Sequence, residues 1–98
     1  MNDTAHQQKA SLSQALLLLK DEEECHRFLA DLCTPQEIKA LRERWRVCQL
    51  LEQGGLSYRA IHEITGASLT TIGRVARFLK DEPYQGYRTI LERLRSKP

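Results

Sequence analysis

No apolar run in this 98-residue sequence approaches a membrane span. The longest, Ala15 to Leu19, falls far short of the roughly 20 residues that a spanning helix needs. The N-terminal residues carry no signal-peptide pattern, so the expected compartment is the cytoplasm. Cysteine is scarce and odd in number: Cys25, Cys33 and Cys48 are widely spaced and form no CxxC pair. That excludes a disulfide framework and reads as three reduced, half-buried thiols of unassigned role. There is no glycine-rich phosphate loop, no HExxH and no plausible nucleophile–base pair, so an enzyme is not expected and no cofactor is implied. Cys25 and His26 are adjacent, and neighbours on a helix point about 100° apart, so they chelate poorly and no metal site is expected. His6 and His62 stand alone and read as surface residues. No stretch alternates apolar and polar residues as a half-buried strand would.

What is present is a series of helix signals. Ser11 and Gln14 have capping-box spacing, and Leu12, Ala15, Leu16 and Leu19 follow as a helical stripe with Leu17 and Leu18 beside it. A helix apolar over more than half its circumference must be covered on two sides. Either these leucines fill the protomer's own core or a second copy covers them. The acidic run Asp21 to Glu24 suits the positive end of a second helix, with Phe28, Leu29 and Leu32 as its apolar side. Thr34-Pro35-Gln36-Glu37 starts a third helix, expected to reach about Gln53 and to end at Gly54-Gly55. Its main stripe is Ile38, Leu41, Trp45, Cys48 and Leu51, flanked by Val47 and Leu50. Arg42 and Arg46 share a face that is either solvated or set against phosphate.

The stretch from Ser57 to Lys80 is the most informative. Ser57 caps a short helix with Ala60, Ile61 and Ile64 on one face, and Thr65-Gly66-Ala67 is a tight corner at which Gly66 takes positive φ. Ser68 caps the next helix, where Leu69, Ile72, Ala76 and Leu79 are expected to pack and Thr70, Arg74 and Arg77 to form the opposite face. This is either a DNA-reading helix-turn-helix or an ordinary αα-hairpin with a solvated face. Charge favours the first: Arg59, Arg74, Arg77 and Lys80 stand against Glu63 alone, within a chain whose net charge is only +2. Asp81-Glu82-Pro83 ends the helix, Tyr84 to Tyr87 reads as a short turn containing Gly86, and Thr89 to Arg95 as a last helix with Ile90, Leu91 and Leu94 inward. The fold class is all-α, with six helices.

The succession DLCTPQEIKAL, RERWRVCQLLEQG and SYRAIHEITGASLTTIGRVARFLK resembles the tryptophan repressor superfamily, covering about Asp31 to Lys80 without gaps. TGAS-x-x-TI-x-RV and GYRTILERL look most like its YerC/YecD branch of bacterial proteins. The resemblance implies one helical DNA-binding domain over 1–98, with the helix-turn-helix at about 57–80. It also implies an intertwined homodimer, its helical core at about 11–53 and 86–96, that regulates transcription from a two-fold symmetric operator. Within that frame Arg59 contacts phosphate, Ser68, Thr70 and Thr71 reach base edges and waters, Gly73 allows close backbone approach, Arg74 and Arg77 continue the reading face, and Lys80 meets phosphate or solvent.

In the tryptophan repressor the amino acid lies beside the reading helix between two arginines, and the matching positions here hold Arg44 and Arg74. Two neighbours depart: Val75 replaces a glycine and Phe78 a serine. Both add volume, so tryptophan is not expected to bind, and Val75 and Phe78 prop the reading helix without ligand. Alternatively both pack inside and leave Arg44 and Arg74 to phosphate or a salt bridge. A different small effector in that pocket, or a helical interaction module that has lost DNA binding, are the other readings.

Overall fold

A computed structural model describes residues 9–97. The expected fraying of Met1 to Ala10 and the surface placement of His6 fall wholly or largely outside that range. Six helices appear in the order α1 Leu12–Leu17, α2 Glu22–Leu32, α3 Pro35–Gln53, α4 Tyr58–Thr65, α5 Leu69–Lys80 and α6 Gly86–Ser96, with no strand among the described residues. The chain divides into two compact units, one ending at Ile38 and the other beginning at Lys39. No helix is long and apolar enough to cross a membrane among the described residues.

In the first unit the helices are set by their caps. Ser11 Oγ accepts from Gln14 N at 3.1 Å and Gln14 Oε1 accepts from Ser11 N at 2.8 Å. Asp21 Oδ1 accepts from Glu24 N at 2.8 Å, while Glu24 Oε1 accepts from Lys20 N at 2.9 Å. Thr34 and Glu37 form a second reciprocal pair, at 3.1 and 2.8 Å, at the start of α3. Each pair satisfies backbone donors that a helix start leaves without partners. Neither α1 nor α2 buries a residue. Leu12, Leu16 and Leu17 of α1 and Leu18 just after it remain 55, 42, 84 and 72% exposed.

The second unit has the core. Val47 and Cys48 of α3, Ile61 of α4, Ala67 of the turn, Ile72, Val75 and Leu79 of α5 and Leu91 of α6 form one buried cluster. Trp45, Leu50, Leu51 and Tyr87 pack on it, half-buried. α5 buries positions 72, 75, 76 and 79, one face at helical spacing. Leu69, a turn earlier on that face, stays exposed because the stripe is covered only from Ile72 onward. Ile64, Leu41, Ile90 and Leu94, expected inward, are likewise exposed in the single chain. Cys48 is fully buried rather than half-buried, whereas Cys25 and Cys33 are half-buried free thiols. Burial raises the Cys48 thiol to about 11, helped by nearby Glu52 and opposed by Arg88.

Glu52 and Arg88 bind α3 to α6 across 36 residues, Nη1 to Oε2 at 2.7 Å. The hydrogen bond from Arg88 holds the Glu52 carboxyl below its ordinary range. The connection from α5 to α6 differs from the expected turn. Gln85 takes the left-handed conformation (φ 58°), and Gly86 is the first residue of α6. Gln85 Nε2 donates to Glu82 O at 2.8 Å, and Gln85 O accepts from Thr89 N and Oγ1 at 3.0 and 2.9 Å. These bonds hold a non-glycine residue at positive φ and start α6 before Thr89.

Candidate nucleic-acid interface

The corner between α4 and α5 is built from short-range hydrogen bonds. Ser57 Oγ accepts from Ala60 N at 3.1 Å and starts α4. Gly66 ends it at φ 77°, its N–H donating to His62 O at 2.8 Å. Thr65 Oγ1 donates to Ile61 O at 2.8 Å and accepts from Ala67 N at 3.1 Å. His62 lies on the exposed side, yet its Nδ1 is 2.7 Å from Ala67 O. A carbonyl only accepts, so Nδ1 carries the proton there and the ring spans the corner. Ser68 Oγ accepts from Thr71 N at 3.1 Å and donates to Thr71 Oγ1 at 3.0 Å.

These bonds set α5 with one face in the core and the other outward. Arg59, Ser68, Thr70, Arg74, Arg77 and Lys80 are exposed, and Thr71 and Gly73 are half-buried. The hydroxyl of Ser68 is committed to the cap, whereas Thr70 makes no side-chain hydrogen bond among the described residues. A Cβ placed on Gly73 would meet nothing within 4 Å, so the helix backbone is open there. Arg77 Nε lies 3.6 Å from Glu82 Oε2 in an exposed pair, the kind that contributes little stability.

Of the four residues expected around an effector, Val75 stands apart. Val75 is 1% exposed and belongs to the core. Phe78 is half-buried and lines an open cavity of about 300 Å³ together with Tyr84, Gln85, Gly86 and Tyr87. Arg44 and Arg74 both act on the Tyr87 phenol: burial raises its pKa, and the two guanidinium groups pull it partly back. Tyr87 also stacks on Trp45, centroids 6.4 Å apart. In the sequence the two tyrosines read as packing residues beside a helix end rather than as a binding site. The visible signal was the spacing of Arg74 and Phe78, i and i+4 on a helix.

Residues 7–95 match the family described as Trp repressor protein. The chain belongs to the Trp repressor family. This is a family of transcriptional regulators, and other Trp repressor family proteins resemble the chain closely. The uncharacterized protein YerC of Bacillus subtilis (strain 168) is 48% identical over 68 residues, 69% of this chain and 64% of YerC. The chain therefore spans less than two thirds of that relative's length. A Trp operon repressor homolog of Aliivibrio salmonicida (strain LFI1238) is 36% identical over 81 residues, 82% of this chain and 75% of that protein. Two crystal structures share the fold. A TrpR-like protein from Eubacterium eligens ATCC 27750 superposes with a TM-score of 0.80 at 41% identity, covering 89% of this chain and 88% of its own. A candidate Trp repressor from Staphylococcus aureus gives 0.81 at 36%, covering 99 and 97%. The six-helix fold and the kinship with the YerC-like members of the Trp repressor family are thus as the sequence implied.

Proposed function

We propose that this Trp repressor family member is a sequence-specific, DNA-binding transcriptional regulator that acts in the cytoplasm as a homodimer without tryptophan. The observation that carries the reading is the two-sidedness of α5. One face supplies Ile72, Val75, Ala76 and Leu79 to the core; the other presents Thr70, Arg74, Arg77 and Lys80 to solvent. Such a helix can enter a major groove, where arginine donates to guanine and threonine meets a base edge or a methyl. Arg59 at the start of α4 contacts phosphate and sets the register, and Gly73 admits the backbone. Ser68 acts as the cap that places Thr70 and Thr71 at the groove. No enzymatic role is assigned.

The dimer is supported in the first unit by the exposed leucines of α1 and in the second by exposed Leu41, Ile90 and Leu94, apolar side chains that a second copy would cover. The dimer core then comprises residues 11–53 and 86–96, and two reading helices lie about one turn of DNA, roughly 34 Å, apart. Independence from tryptophan is supported by Val75, which is in the core, and by Phe78, whose ring lies beneath the Arg74 guanidinium.

A second reading rests on the cavity beside Phe78 and Tyr87, which an effector other than tryptophan could fill. The test is selection of bound fragments from sheared genomic DNA by the purified protein with no added ligand. Recovery of a common palindromic site supports the ligand-independent regulator. Recovery only after adding a cell extract supports the effector-dependent one. An intact dimer that recovers nothing in either case is an interaction module, and the DNA reading fails.

A further inference from the structure

Phe78 sits at an unusual junction. The Cζ atoms of Arg74 and Arg77 stand over its ring, 4.3 and 5.1 Å from the centroid. Both distances are within the range of a cation–π contact. The ring stacks almost parallel on Tyr84, 6.2 Å between centroids and 11° between planes. Tyr84 belongs to the turn after α5, and Glu82 of the same turn holds Arg77 from its Nε side. No carboxylate lies within salt-bridge distance of Arg74 among the described residues, and its guanidinium rests on the aromatic ring instead.

We infer that Phe78, backed by Tyr84, is a positioning residue that orients Arg74 and Arg77 for base reading, so that the reading surface is organised by the chain's own aromatic side chains. The inference rests on the DNA-binding reading above. Its physical basis is preorganisation. A long exposed side chain loses rotamer freedom when DNA fixes it, and a planar guanidinium already stacked loses less. A bidentate base contact depends on the orientation of the fork, whereas a phosphate contact tolerates many orientations. Removing the platform therefore lowers discrimination between sequences more than it lowers binding to DNA in general.

Two variants separate the ring from its bulk. Phe78→Leu keeps an apolar side chain and removes the ring; Phe78→Tyr keeps the ring. NMR of the arginine side chains in the free protein reads the platform directly. Two arginines displaced by ring current in wild type and Phe78→Tyr, and not in Phe78→Leu, are expected; their absence in wild type overturns the inference whatever the DNA result. Binding is then measured on a duplex recovered by wild type and on a scrambled duplex of the same composition. Phe78→Leu is expected to lose three- to tenfold in the ratio of the two affinities, with affinity for the scrambled duplex and its salt dependence unchanged. Phe78→Tyr is expected to stay within twofold. A Phe78→Leu ratio within twofold of wild type, or an equal loss in Phe78→Tyr, overturns the positioning role alone. Wild type that shows the NMR displacements but recovers no site ends the DNA reading, and the positioning role with it. Should Phe78→Leu not fold, Tyr84→Leu decides, since Tyr84 is 78% exposed: a loss of more than twofold in the ratio supports the platform, and no loss overturns it.

Discussion

Replacing Gly73 by alanine sets stability against function in a way the structure makes quantitative. Gly73 is inside α5, and its added methyl would meet nothing within 4 Å. No steric term then opposes the change in helix propensity, which favours alanine by about 0.8–1.0 kcal/mol. For a chain of this size that stabilisation raises the melting temperature by roughly 4–8 °C. The same methyl projects from the reading helix at the place proposed for close backbone approach to DNA. Pushing the helix away there should weaken affinity for a selected site at least tenfold, about 1.4 kcal/mol. Because no charge changes, the salt dependence should stay as in wild type. Thermal unfolding followed by circular dichroism and titration of a labelled duplex by fluorescence anisotropy check the two halves. A lower melting temperature would refute the open-space argument, and unchanged DNA affinity would refute the placement of Gly73 at the groove.

Gly66→Ala should have the opposite sign on stability. The position is left-handed at φ 77° with nothing near the new methyl, so the cost is the backbone term alone, about 1–2 kcal/mol, and a shifted denaturant midpoint with unchanged m-value measures it. Arg59→Ala should weaken binding to all sequences alike and flatten the logarithmic salt slope by about one unit; an unchanged slope would make Arg59 a surface residue. Burial holds the Cys48 thiol neutral until about pH 11, against an ordinary 9.0. The folded chain thus keeps a proton that the unfolded chain gives up, so this stabilisation is complete below pH 9 and is lost as pH rises to about 11. Denaturant titrations across that window should show wild type losing stability more steeply than Cys48→Ala, and equal slopes would show that another group sets the alkaline limb.

The sequence by itself determined where four of the helices begin and what kind of fold the six make. Ser11, Thr34, Ser57 and Ser68 each cap the helix expected of them, and Gly66 takes the expected left-handed turn. These signals were legible because each bond joins residues only three or four apart, so local spacing is enough to form it. The same holds for the six-helix order and for the family, whose motif is a string of caps, corners and helix faces.

What only the tertiary structure decided is which side of each helix is covered and what meets across the chain. Val75 is buried while Leu69 is exposed, although either would suit the apolar face of α5. Glu52 meets Arg88 from 36 residues away. Gln85, not Gly86, takes the positive φ, because its side chain and carbonyl are bonded on both sides of the turn. Phe78 has Tyr84 stacked on it only because the turn after α5 folds back, whereas its contacts with Arg74 and Arg77 lie within one helix. A helix cap forms within one turn of its own chain, but burial and stacking depend on which distant element arrives, and spacing along one segment carries no record of that.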